Sequence, residues 1–504
     1  MKLGKGAVLS VLKLVNTGLG FLLGLAVAWV LRTGAPTDAL FAAWFIPVIL
    51  ARELPRVVGM VLVPFLVESQ LAERKRVPDL FMTWWIVFLG VATVAIVLAS
   101  RWIIRITVPG LPADTAAEAV RLLQILAPSF FLLGLFGGAQ NLFYARRVFY
   151  EPELAATAWR VVAMVALFVA GGLFGVRGYA VGLVAAAAVQ LSILAAAGRR
   201  HGIPVAPITD PFRDLDLLRP LLGGAATVGT FLILDQANPF VDRFITSFLP
   251  EGSISILSYG DRLAKALPVL MATSFISVFI PELSTARAKH GDMRRVGGSM
   301  AIFLMSVGLP LAVLVVWSAD DLVHLVLHHG NFTAAQAPIA AATVVAYALG
   351  IPASLTGMGI KGLYFVERNT REVARFGILA LLINTLADLA LFPIGVEGIA
   401  LSSSLTVWIV TVYLWKRANL GWPDPRATGR ILAGAAVMCG LLFALPWPHW
   451  LTQPVLRLAV GVATAGLAYV IVVYPYWKRF DVGGESGSAG GDAAAAPVVE
   501  PRET

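Results

Sequence analysis

Apolar runs of about 20 residues recur from one end of this chain to the other, and they limit the fold more than any other feature. Backbone N–H and C=O groups cannot stay unpaired in hydrocarbon, so each membrane crossing is a helix or a strand of a closed barrel. The runs lack the strict in–out alternation of barrel strands, and the fold class is therefore an all-α polytopic membrane protein. Charged residues make up 14% of the 504, against roughly 25% in a soluble domain. Fourteen transmembrane helices are expected, near 7–31, 40–67, 80–104, 117–145, 153–174, 179–198, 218–248, 254–285, 297–317, 335–364, 373–392, 397–416, 429–446 and 453–477. The Lys2 and Lys5 end leads into the first of these without a small-residue cleavage pattern, so it reads as a span and not a removed signal.

Basic residues between the runs alternate. Even-numbered loops carry Arg74, Lys75 and Arg76; Arg146 and Arg147; Arg199 and Arg200; Arg287 and Lys289; Arg368 and Arg371; and Lys416 and Arg417, while odd-numbered loops are poor in Lys and Arg. The net charge of +9 is thus a topology signal, with both termini expected in the cytoplasm, and does not point to nucleic acid. From Asp481 onward Gly, Ser, Ala and Glu replace large apolar residues, and 481–504 reads as a disordered cytoplasmic tail.

Internal similarity follows. GVRGYA at 175–180 returns as GVEGIA at 395–400, an offset of 220, and Tyr144 falls on Tyr364 at the same offset. Pro64 in LVPFLVE pairs with Pro281 in FIPELST at an offset of 217. The chain therefore divides into two parallel six-helix repeats forming two lobes around a central cavity: 1–200 with spans 1–6 and 201–426 with spans 7–12, related by an axis along the membrane normal. Spans 13–14, within 427–480, lie outside the duplication.

Charges inside spans cost several kcal/mol unless they face protein, water or a partner. Span 8 carries Asp261, Arg262 and Lys265, and the four-residue spacing puts Asp261 and Lys265 on one face. Span 2 carries Arg52, Glu53 and Arg56 around Pro55, a helix-kinking residue. Both spans read as cavity walls, although an Arg52–Glu53 interhelical pair also fits. Asp38 is open to a second reading, in which it or Thr37 caps span 2.

Span 7 holds Asp235, Asn238, Pro239, Asp242 and Arg243; the last two lie near its end, where side chains snorkel, and Asp235 lies deeper. Span 11 places Asn384 and Asp388 on one face, and span 12 adds Ser402, Ser403 and Ser404. Such a set could hold a hard monovalent cation through oxygen or form a polar interhelical network without one. Arg160 and Lys361 read as snorkelling residues. Cys439 is a lone cysteine, so no disulfide can form within the chain. The His-His pair at 328–329 sits in a loop, and no Ser-His-Asp, HExxH, CxxC or phosphate-binding glycine loop is present, so no enzyme is expected.

The chain resembles the MviN/MurJ lipid II flippases of the multidrug/oligosaccharidyl-lipid/polysaccharide exporter superfamily, over about residues 5–477. The resemblance is carried by TDALFAAWFIP at 37–47, SYGDRL at 258–263, IPEL at 280–283 and Gly330, Phe332 and Thr333 of the G-x-F-T pattern. It implies a cationic cavity between two lobes, a groove for the lipid tail on spans 13–14, and movement of undecaprenyl-pyrophosphate-linked peptidoglycan precursor across the bacterial inner membrane by alternating access. Arginine forks suit the pyrophosphate. Carried over by residue, Asp38, Arg52 and Arg262 match cavity positions, with Ala51 in place of Arg52 if span 2 carries a one-residue gap; Asp261 beside Arg262, and the cations Arg56 and Lys265, are added as cavity residues. Asp235, Asn384, Asp388 and Ser404 are similar to a sodium site of some members, and no other cofactor is implied.

Departures from the family pattern fall in span 1, where Thr17 and Leu23 or Gly24 stand in place of two arginines, and at Lys265, where an acidic residue is common. These favour two alternatives to some degree: export of another polyprenyl-linked glycan, such as an O-antigen, capsule or exopolysaccharide unit, or a transport-inactive scaffold for cell-wall synthesis proteins.

Overall fold

The computed structural model describes residues 3–68, 73–203, 236–265, 268, 283, 293–327, 336–367, 370–421, 425–444 and 454–478. The first repeat begins with α1 (Leu3–Leu31) and α2 (Ala35–Glu68), followed by α3 (Glu73–Leu98), α4 (Ser100–Thr107), α5 (Ala113–Ala145), α6 (Tyr150–Ala166) and α7 (Gly172–His201). Of the next two spans, α8 (236–246) and α9 (253–265) are described. The remainder is α10 (Met293–Leu327), α11 (Gln336–Ala348), α12 (Ile351–Val366), α13 (Thr370–Leu391), α14 (Val396–Arg417), α15 (Pro425–Cys439) and α16 (Pro454–Trp477).

Ten helical stretches among the described residues are long and apolar enough to cross a membrane. One of them, Tyr150–His201, is two spans, because Gly175 breaks it at φ 63° and ψ −149°. With α2, twelve of the fourteen expected spans are accounted for among the described residues, and α8 and α9 are the described parts of the other two.

Two spans differ from expectation. The third ends early: α3 stops at Leu98, and α4 follows as a separate short helix with Ser100, Ile104 and Thr107 buried and Trp102 and Ile106 exposed. Arg101 and Arg105, four apart, share an exposed face of α4, as in a helix lying at an interface. The tenth span is broken into α11 and α12 around Leu349 and Gly350, just before Pro352, whose ring denies the backbone a donor. Carbonyls freed at the break find donors on α14: Ser404 Oγ donates to Ala346 O at 2.6 Å, and Trp408 Nε1 donates to Leu349 O at 2.9 Å.

The duplication is visible in the backbone. Gly395 sits at φ 101° and ψ −151°, the same sparsely populated region as its equivalent Gly175, which side chains other than hydrogen do not tolerate. Three residues on, Gly178 and Gly398 each face a backbone carbonyl, of Ala170 and Leu391, where a Cβ would sit. One buried apolar core runs through both repeats, and a second, smaller one forms where α15 and α16 pack on α10. There Tyr469 Oη donates to the Ser306 carbonyl at 2.5 Å and Trp477 Nε1 to Ser306 Oγ at 3.0 Å.

Candidate functional site: a cationic cavity closed at one end

Between α1, α2, α6, α8 and α9 lies a cavity of about 1350 Å³. Its wall runs along α1 from Ala28 to Asn16 and along α2 from Leu40 to Pro64, the latter about 36 Å of helix. Among the described residues, six basic side chains line it (Arg52, Arg56, Arg160, Arg243, Arg262 and Lys265) against three acidic ones, Glu153, Asp242 and Asp261. Five of the sequence-derived binding residues are on this wall: Arg52, Arg56, Asp261, Arg262 and Lys265. Lys265 and Asp261, on one helical face, form an ion pair, and Arg56 pairs with Glu53 at 3.4 Å. Arg52 therefore does not take Glu53 as its salt-bridge partner; among the described residues neither it nor Arg262 is ion-paired. Arg262 lies over the Phe41 ring at 5.4 Å and remains exposed to the cavity, available to an anion.

Asp38 is elsewhere. It is 1% exposed, is absent from the cavity wall, and does not cap its own helix; the Thr37 hydroxyl donates instead to the Leu31 carbonyl at 2.9 Å. The Asp38 carboxylate accepts the backbone N–H of Gly252 and of Ser255, both at 2.7 Å, and so caps α9 from the other repeat. An anion at a helix N-terminus satisfies orphan donors and complements the helix dipole. Around it, Thr33 Oγ1 donates to Gln336 Oε1 at 3.1 Å, the Gly110 amide donates to Ser247 Oγ at 3.0 Å, and Tyr259 Oη donates to the Arg32 carbonyl at 3.0 Å. These contacts tie the two repeats together at one end of the cavity.

The second polar cluster is built differently from expectation. Asn384 Nδ2 donates to Asp242 Oδ1 at 2.6 Å and to Asp388 Oδ2 at 2.9 Å, Ser402 Oγ donates to Asp388, and Ser403 Oγ donates to Asp242 at 3.3 Å. Asp242 belongs to this cluster; Asp235 lies outside the described residues. Ser404, committed to the break between α11 and α12, is replaced by Ser402 and Ser403. Two buried carboxylates bridged by one amide leave a negative charge that a proton or a cation must balance.

A family model described as "Lipid II flippase MurJ" matches residues 27–439. The chain belongs to the MurJ lipid II flippase family. Among curated members, the probable lipid II flippase MurJ of Rhizobium tropici is 25% identical over 419 residues, covering 78% of this chain and 76% of that protein. Lipid II flippase MurJ of Burkholderia cenocepacia is 21% identical over 478 residues, covering 88% and 92%. In structure, the chain is similar to a lipid II flippase MurJ in an inward closed conformation, with a TM-score of 0.82 at 18% identity over 94% of this chain and 99% of the other. A multidrug resistance MATE transporter of the MOP superfamily in an inward-facing conformation follows at a TM-score of 0.65 and 12% identity, over 83% of this chain and 95% of that one.

For a MurJ-family cavity, the wall is more cationic than α1 alone suggests. Arg160 and Arg243, which sequence reading places at the interface, both line the cavity. Arg243 lies 4.0 Å above the Phe45 ring and donates to the Pro239 carbonyl at 3.0 Å. The signal for Arg160 was present: Glu153, Ala156 and Arg160 are spaced three and four apart and share one face of α6, and all three line the cavity.

Proposed function

We propose that this chain moves an undecaprenyl-pyrophosphate-linked peptidoglycan precursor, lipid II, from the inner to the outer leaflet of the bacterial cytoplasmic membrane by alternating access. The observation that carries this reading is the cavity itself. It draws cations from both repeats, leaves Arg52 and Arg262 open to an anion, and is closed at one end by a carboxylate of one repeat capping a helix of the other. A pyrophosphate presents oxygen acceptors matched by guanidinium forks. The loop charges support cytoplasmic termini, so the end closed by Asp38 faces outward. On this reading 427–480, which packs on α10 outside the two lobes at 1–200 and 201–426, binds the lipid tail.

A sodium ion fits the Asp242–Asn384–Asp388 cluster in its chemistry: the two carboxylates and the Ser402 and Ser403 hydroxyls are hard oxygen donors. A bound ion would supply charge balance to the carboxylate pair, and these side chains would hold it. The reading is tested by growth of a host depleted of its own lipid II flippase: this chain is expected to restore growth. Failure at normal membrane abundance removes lipid II as substrate and leaves export of another polyprenyl-linked glycan.

A further inference from the structure

Arg160 has a setting that snorkelling does not explain. Its Nη1 donates to Asn16 Oδ1 on α1 and to the Ala156 carbonyl at 3.0 Å, while Asn16 Nδ2 donates to Glu153 Oε2 at 3.1 Å. The arginine is thus held across α1, beside a carboxylate it does not pair with directly, on the cavity wall. Its Nε lies 3.0 Å from where a Cβ would sit on Gly20, so the side chain crosses α1 where that helix has no side chain of its own. One turn further along, Gly24 does the same for Arg262, whose Nη1 lies 3.3 Å from the corresponding point. Positions four apart on a helix are separated by about 6 Å. The notch formed by Gly20 and Gly24 therefore holds two guanidinium groups about one helical turn apart, one from α6 of the first repeat and one from α9 of the second.

We propose that Arg160 is a substrate-contacting residue that, together with Arg262, clamps the two phosphoryl groups of a lipid-linked diphosphate, and that Glu153 weakens this grip until the diphosphate draws Arg160 away from Asn16. This deepens the proposed function and rests on it. Two forks a helical turn apart engage both phosphoryl groups of a diphosphate at once, whereas a monophosphate engages one fork at a time. Glu153 adds an opposing negative charge close to the same anion site.

The test uses the full chain in lipid nanodiscs and measures binding of undecaprenyl diphosphate and undecaprenyl phosphate, which share a tail and differ by one phosphate. Wild type is expected to prefer the diphosphate. Arg160→Ala should weaken diphosphate binding by about tenfold or more, with a smaller effect on the monophosphate. Gly20→Ala should act in the same direction while keeping the charge, and Arg160→Lys should restore binding in part. Glu153→Gln keeps an acceptor for Asn16 and should tighten diphosphate binding several-fold, a gain that a misfolded protein cannot give. Diphosphate binding unchanged in both Arg160→Ala and Gly20→Ala, with loss in Arg262→Ala, overturns the clamp and leaves the function standing. Glu153→Gln binding that is unchanged or weaker overturns the role of Glu153. Wild type that binds neither lipid overturns the functional reading and the clamp with it.

Discussion

The Ser255 amide donates to Asp38 Oδ1 at 2.7 Å, and the two residues are equivalents in the two repeats, 217 positions apart like Pro64 and Pro281. A residue that touches its own equivalent lies on the axis relating the repeats. The flanking contacts obey the same symmetry. Thr33, after the first helix of the first repeat, meets Gln336 at the start of α11; Ser247, after the first helix of the second, meets Gly110 just before α5. The closed end is thus one symmetric set centred on a buried carboxylate, and rotation of the lobes about the axis would break its members together.

Asp38→Ala strips two backbone donors of their acceptor at the N-terminus of α9, which costs the closed end about 1–3 kcal/mol. With Cys439 replaced by serine and spin labels at Thr33 and Gln336, the Asp38→Ala variant is expected to show a longer, broader distance distribution than its parent. An unchanged distribution would show that Asp38 does not hold this end shut.

Gly175→Ala and Gly395→Ala should each lower thermal stability, since both impose a side chain on a region that costs about 1–3 kcal/mol. Gly18→Ala is the control, because a Cβ there meets nothing within 4 Å on a helical backbone. Thermal unfolding in detergent is expected to fall for the first two and to hold or rise for the third. A neutral Gly395→Ala would mean that the turn between α13 and α14 is not strained.

Sodium in place of potassium at equal ionic strength is expected to raise the unfolding temperature of the wild type, and Asp388→Ala or Asp242→Asn should abolish the difference. If the wild type shows no such difference, the Asp242–Asn384–Asp388 cluster is a structural network balanced by a proton.

Much of this fold was legible in the sequence because membrane physics is local. Span length follows from bilayer thickness, the loop charges alternate, and the glycines at 175 and 395 recur because the backbone there admits no other residue. The site was legible only in part. Asp242 was read as a snorkelling residue because it lies near the end of its span, and its partners Asn384 and Ser403 are more than 140 residues away. Arg160 was misplaced because position along a helix gives depth, and the gap it enters is created by glycines on another helix. Asp38 was read as a cavity residue or a cap of its own helix because its true partner, α9, is more than 200 residues away.

The most direct measurement is translocation of lipid II across proteoliposomes by purified protein, with Arg262→Ala in parallel. Wild-type vesicles are expected to deliver lipid II to the opposite leaflet, where an added processing enzyme can reach it, and the variant, inserted at equal density, should lose that transfer by about tenfold or more. Transfer by the variant at the wild-type rate, or no transfer by the wild type above empty vesicles, would contradict the account.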